Sequence, residues 1–194
     1  MGCDIHIYRE KLINGVWVSA DEWADEYDEG VMTVPYEKSA YSGRNYELFG
    51  FLAEGVRRDI PGAFEQRGTP DDASPEVAEL VDRWNGDGHS HSWLGLAELI
   101  EANENLKTQT TPISGMMERE QWDKLQASIA TGEPDWDLLY PYSQGVYGAG
   151  ADKYVEFEVQ VPATFAFGDG LQHIIDSFAG IDGDDHRIVF FFDN

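Results

Sequence analysis

Hydrophobic and polar residues alternate near both ends of the chain, and this period of two predicts β-strands. Residues 3–10 alternate in this way, with Cys, Ile and Ile on one side. Asn14-Gly15 follows, a dipeptide typical of a tight hairpin turn, and residues 16–18 supply the returning strand. Residues 154–161 alternate again, and the largely apolar run 187–193 is typical of a buried central strand.

The middle of the chain has apolar residues spaced three and four positions apart, which predicts amphipathic helices. One helix follows Asn45 and ends near Arg57, and another begins at Ser74 with proline in its first turn. Ser92 is the expected cap of a third helix, and a fourth covers residues 119–130. A short helix is expected near residues 171–178.

Strands at both ends and helices between them predict an α+β fold, in which the N- and C-terminal strands form a mainly antiparallel sheet around a helical middle segment. The length of 194 residues predicts a single domain over residues 1–194. The acidic segment 20–43 is expected to be irregular, with one short strand near residues 31–34.

Composition narrows the classes of function. Hydrophobic residues make up 42% of the chain and aromatic residues 13%, which is enough for a core. The net charge of −24 disfavours direct binding to nucleic acid and to anionic membranes. Solubility is the ordinary explanation for this charge, and mimicry of nucleic acid toward a basic protein is the alternative. One cysteine, no signal sequence and no apolar run of about 20 residues predict a cytoplasmic protein.

The most informative segment for chemistry is Asp87–Trp93, which holds two of the five histidines between glycines and a predicted helix. Histidine changes charge near neutral pH, so His89 and His91 are candidate catalytic residues, one as general base and the other as general acid. The alternative is a structural loop, in which the histidines bond to backbone carbonyls and a serine caps the helix.

Asp4 and His6 form a second cluster, on the polar side of the first predicted strand and about 7 Å apart. If the clusters meet, Asp4, His6, His89 and His91 could ligate a divalent metal, zinc or manganese. No complete metal motif is present. The alternative is that Asp4 and His6 face solvent, or that Asp4 only orients His6.

Arginine is scarce, so two positions are candidate contacts for a small anionic ligand. Arg44 precedes the first predicted helix, and Arg67 lies beside a glycine turn. A guanidinium can grip phosphate or carboxylate through two hydrogen bonds. Trp93 completes the expected ligand-binding set. The alternative for each arginine is an ion pair with one of the many carboxylates.

Four blocks together resemble a group of small uncharacterised proteins of bacteriophages and prophages. The blocks are Met1–His6, Arg44–Phe49, His89–Trp93 and Phe192–Asn194. The resemblance implies a viral protein in the host cytoplasm, with a role such as countering host defence. It implies no activity and no catalytic residue.

These observations predict a protein with a small-ligand pocket. In the most specific hypothesis it is a metal- or histidine-dependent hydrolase of a phosphoester or nucleotide-like substrate, a defence signal for example. Two alternatives are a non-catalytic protein that sequesters a nucleotide signal, and an acidic DNA mimic. Whether the chain is an enzyme stays open at this point.

Overall fold

The structure is a computed structural model that describes residues 2–25, 30–84, 86–140, 142, 145 and 150–194. In the described part, the strands are β1 Asp4–Ile13, β2 Val16–Ser19, β3 His89–Gly95, β4 Thr110–Glu118, β5 Tyr154–Pro162 and β6 Asp185–Asp193. The helices are α1 Tyr46–Leu52, α2 Pro75–Arg83, α3 Leu96–Leu106, α4 Arg119–Ala130, α5 Ala163–Phe167 and α6 Gly170–Asp176. Single 3-10 turns cover Tyr36–Lys38, Trp136–Leu139 and Ala151–Lys153.

The chain divides into two compact units. The first comprises Met1–Asn105 and Phe167–Asn194, and the second comprises Leu106–Ala166. The first unit contains a sheet in the order β2-β1-β6-β3, in which all neighbouring strands are antiparallel. The two terminal strands pair over their full length, from Asp4 opposite Asp193 to Leu12 opposite Asp185. The α+β prediction, with terminal strands in one antiparallel sheet, is therefore confirmed. A single domain over residues 1–194 stays a prediction.

The strand β6 is the centre of the first unit, because it lies between two strands and is covered on both faces. Its residues from Ile188 to Phe192 are fully buried. On one face Phe191 packs with Tyr8 and with Val77 of α2. On the opposite face Phe192 contacts Phe49 of α1, with ring centroids 5.3 Å apart.

The second unit is built on the antiparallel pair β4–β5, with α4 packed against it. Its buried side chains include Ile113, Met117 and Phe157 from the strands and Leu125 from α4. The sequence pattern predicted β5 and α4 correctly. It did not predict β4, whose Pro and Gly residues weaken a strand pattern.

The prediction of a loop and helix cap at His89–Trp93 is wrong, because these residues form β3. Ser92 and Leu94 are both fully buried on one side of the strand, which is a period of two. The hydroxyl of Ser92 accepts a hydrogen bond from the backbone N–H of Arg67, and the helix starts only at Leu96. The unpaired edge of β6 provides the backbone partners that make this segment a strand.

Two further boundaries differ from the sequence prediction. The helix α1 ends at Leu52 rather than near Arg57, which has a left-handed φ of 62°. In the acidic segment 20–43, a single bridge between Ala24 and Thr33 replaces the expected short strand. Residues 26–29 of that segment lie outside the described residues.

A buried ion pair connects the terminal strands. Glu10 of β1 and Arg187 of β6 are cross-strand partners, and their charged atoms lie 2.7 Å apart. The second Glu10 oxygen accepts the backbone N–H of Ser74, just before α2, and Arg187 also binds Asp72. Trp17 lies 4.0 Å from the guanidinium carbon and shields this pair from water.

Removing one partner is expected to leave a buried charge uncompensated. We expect Arg187→Met to lower the free energy of unfolding by about 3–5 kcal/mol, measured by urea denaturation. The matched control is Arg83→Met, which breaks an exposed pair with Glu79 and should cost at most about 0.5 kcal/mol. Equal losses in the two variants would show that removing Arg187 leaves no uncompensated charge buried at Glu10.

Candidate functional site

A cleft of about 810 Å³ opens in the first unit beside the paired ends of β1 and β6. Its size lies within the range of small-ligand pockets. Charged and polar side chains at one end adjoin aromatic side chains from the segment before α1 and from the end of α2. The lining residues used below are Asp4, His6, Tyr8, Tyr36, Tyr41, Arg44, Trp84 and Asp193.

The strand register brings two carboxylates together at the polar end of the cleft. Asp4 lies directly opposite Asp193, and one Asp193 oxygen accepts the backbone N–H of Asp4 at 3.3 Å. Arg44 offsets this concentration of negative charge. Its guanidinium contacts both Asp4 oxygens at 2.6 Å, and these hydrogen bonds raise the pKa of Arg44.

The position of Arg44 follows from local structure. It precedes Asn45, whose side-chain oxygen accepts the N–H of Leu48 and caps α1. The cap fixes the direction in which the chain enters the helix, and thereby places Arg44 over the end of β1. The sequence correctly indicated this helix start.

His6 is held between aromatic rings at the inner side of the cleft. Its ring stacks on Phe191 at 4.7 Å and tilts against Trp84 at 4.5 Å. The Nε2 atom is buried and lies 3.5 Å from Asp193 Oδ2, without the alignment of a hydrogen bond. The contact is therefore close but is not a hydrogen bond, and it is an ion pair only when the imidazole carries a charge.

Tyrosine and tryptophan side chains form the remaining walls. Burial raises the pKa of Tyr8 and of Tyr41, so both hydroxyls stay neutral at physiological pH. Tyr36 is 73% exposed, and its hydroxyl donates to the carbonyl of Ser42. Together with Trp84, these residues present apolar ring surface to a ligand.

The structure does not bring His89 and His91 together on one ligand. The ring of His91 stacks on Phe191, whereas that of His89 stacks on Phe192. Adjacent residues of a strand face opposite sides of the sheet. The separation arises from a register shift between His89 and Ser92, where Ser90 has a left-handed φ of 53°.

The expected metal ligands are also dispersed. Because β1 and β3 flank β6, the ring of Phe191 lies between His6 and His91. Asp4 is engaged by Arg44. Within the part of the chain that the structure describes, no group of three His, Cys, Asp or Glu side chains could hold a metal ion. The geometry therefore gives no support to zinc or manganese at Asp4, His6, His89 and His91.

Arg67 is the other expected anion contact, and its guanidinium already forms an ion pair with Glu98 of the same chain. Its guanidinium binds both Glu98 oxygens, at 2.6 and 2.8 Å, and lies 4.8 Å from the ring of Trp93. The pairing lowers the pKa of Glu98 and raises that of Arg67. Arg67 and Trp93 do not line the cleft, so the structure groups only Asp4, His6 and Arg44 of the expected site.

Sequence reasoning missed Asp193 and the aromatic walls. The predicted pairing of the terminal strands contained a usable signal for Asp193, because an antiparallel register from residue 4 places the final strand residues beside Asp4. For Tyr36, Tyr41 and Trp84 no comparable signal exists, since they come from segments without a regular pattern or from a helix end.

His91 should make stability depend on pH. Its Nε2 is buried without a hydrogen-bond partner, and burial, with a smaller effect of His89, lowers the pKa of His91 below 6.5. The native state then binds fewer protons than the unfolded state below pH about 6.5, so acidification lowers the free energy of unfolding.

We therefore expect His91→Phe to lose less stability than the wild type between pH 7 and pH 5, as measured by urea denaturation at each pH. The matched control is His173→Gln, at an exposed position of α6, which should keep the wild-type pH dependence. If the free energy of unfolding of His91→Phe fell between pH 7 and pH 5 as steeply as that of the wild type, the lowered pKa of His91 would be contradicted.

No family model matches the chain, and neither a curated protein nor a solved structure is significantly similar to it. The resemblance to bacteriophage proteins thus stays a prediction. Among the described residues, no helix has the length and apolar character required to cross a bilayer. The cleft that Asp4, Trp84 and Asp193 line is therefore the basis on which a function can be proposed.

Proposed function

We propose that the protein binds a small organic molecule in the cleft and does not convert it. The observation that carries the proposal is the combination, in one cleft of about 810 Å³, of aromatic walls with a polar end formed by Asp4, His6, Arg44 and Asp193. Small-molecule sites have this composition, with apolar rings for contact area and a few polar groups for orientation.

Binding without turnover is favoured because two polar groups of the cleft make their hydrogen bonds within the protein and His6 does not face a nucleophile. Arg44 is held by Asp4, and the hydroxyl of Ser39 donates to the carbonyl of Tyr41. The His6 Nε2 atom is buried and points toward Asp193 rather than toward a nucleophile. An activated nucleophile requires a base within hydrogen-bond reach.

Tyr36 offers a test with little risk to the fold, because most of its ring is exposed. We expect an aromatic fragment panel, screened by ligand-observed NMR, to yield weak binders that compete for one site. Tyr36→Ala should weaken them by about three- to tenfold, through lost ring contact. Tyr140→Ala, an exposed tyrosine outside the cleft, is the matched control and should bind as the wild type does.

An equal effect of the two substitutions, or binders insensitive to both, would contradict binding in the cleft. Circular dichroism of each variant verifies that the fold is retained.

A second candidate function is hydrolysis of a phosphoester or nucleotide-like substrate, with a histidine as general base. The specific observation in its favour is the proximity of His6 Nε2 to Asp193 Oδ2, at 3.5 Å, because a carboxylate can orient and stabilise an imidazolium.

The two functions differ in the fate of the ligand. If the protein binds its ligand without converting it, bis(p-nitrophenyl) phosphate should be recovered intact after incubation with the wild-type protein, with or without added zinc or manganese. Release of p-nitrophenolate that disappears in His6→Gln and persists in His173→Gln would instead establish the hydrolase.

A further inference from the structure

We infer that the ligand of the cleft is a small organic cation with an apolar or aromatic body, and that Asp193 binds its positive charge. This inference rests on the proposed binding function and names the class of ligand. It differs from the anionic ligand expected from the sequence.

The balance of charge at the polar end is the first reason. Two carboxylates, Asp4 and Asp193, face one guanidinium there. Three side-chain hydrogen bonds of Arg44 go to the Asp4 carboxylate, so the Asp4 charge is compensated locally. The field of Asp193 also reaches Arg44 and contributes to its raised pKa.

Asp193 is only weakly compensated by its neighbours. Within the described residues, no ion pair joins Asp193 to a lysine or arginine, and its contacts are the Asp4 N–H at 3.3 Å and His6 Nε2 at 3.5 Å. Its side chain is 25% exposed and lines the cleft. A partly buried carboxylate with such long contacts favours a cationic partner.

The walls of the cleft are the second reason. Tyr36, Tyr41 and Trp84 line the same cleft as Asp193, and the buried Tyr8 borders it. The faces of aromatic rings attract cations, with Trp the strongest, and several rings around one site add to this effect. Aromatic rings beside a carboxylate can therefore hold an ammonium group and contact the apolar body attached to it.

An anion would meet opposition at the same place. An anion that bound the Nε and Nη2 atoms of Arg44 would displace the Asp4 carboxylate, which would then face Asp193 across the strand pair without compensation. Like charges directly opposite each other destabilise a sheet. The net charge of −24 also repels anions and attracts cations over longer distances.

Three probes with the same ring and different charge test the inference: phenethylamine, 2-phenylethanol and phenylacetate. Their dissociation constants are measured by NMR titration at physiological ionic strength, which reduces nonspecific attraction to the acidic surface. We expect phenethylamine to bind at least about tenfold more tightly than 2-phenylethanol, and phenylacetate to bind least.

Asp193→Asn is expected to reduce the preference for the amine by about tenfold while 2-phenylethanol still binds. Asp82→Asn removes an exposed carboxylate of α2 that does not line the cleft, and it is the matched control. Its amine preference should equal that of the wild type.

Each other outcome has a distinct meaning. Binding that is sensitive to Tyr36→Ala but equal for all three probes, or strongest for phenylacetate, overturns the inference and leaves the proposed binding function intact. Amine binding that changes equally in Asp193→Asn and Asp82→Asn reflects general surface charge and also overturns the inference. If no probe binds in a manner sensitive to Tyr36→Ala, both proposals fail.

Discussion

The first unit depends on the buried ion pair between Glu10 and Arg187. The pair joins the two terminal strands across β1–β6, and its outer contacts reach Ser74 and Asp72 at the start of α2. Burying two charges is costly, so the pair is best understood as a constraint on arrangement rather than as a large source of stability. A slip of one residue between the strands would put the two charges on opposite faces of the sheet, so that neither would have its partner.

The register that this pair specifies also builds the cleft. Counting along both strands from Glu10 and Arg187 places His6 opposite Phe191 and Asp4 opposite Asp193. The second of these pairs combines two negative charges, and within the described residues Arg44 is the arginine or lysine that pairs with one of them. A carboxylate is thus left weakly compensated beside aromatic rings, and this local imbalance suits a cationic ligand. Phe191 also stacks against His6 of β1 and against His91 of β3, and its ring lies between the two histidines.

Much of the fold was predictable because its period-two and helical patterns are local. Local patterns correctly predicted the hairpin at Asn14-Gly15, the helix that follows Asn45 and the apolar strand β6. The histidine segment was misassigned because its glycines and serines favour a loop, whereas its strand state depends on the distant edge of β6. Of the residues that line the cleft, the sequence singled out Asp4 and His6 as metal ligands and Arg44 as an anion contact, and these roles stay predictions. Their internal ion pairing, the separation of His89 from His91 and the aromatic walls depend on tertiary contacts that no local pattern encodes.

The central claim is that the paired ends of β1 and β6 form the ligand site of this protein. The most direct measurement is a map of backbone amide chemical shifts during titration with phenethylamine. Binding at this place predicts that the largest changes cluster at Asp4–Tyr8, at residues 36–44 and at Asp193, which line one cleft. Changes spread evenly over the acidic surface, or centred on the β4–β5 unit, would contradict it.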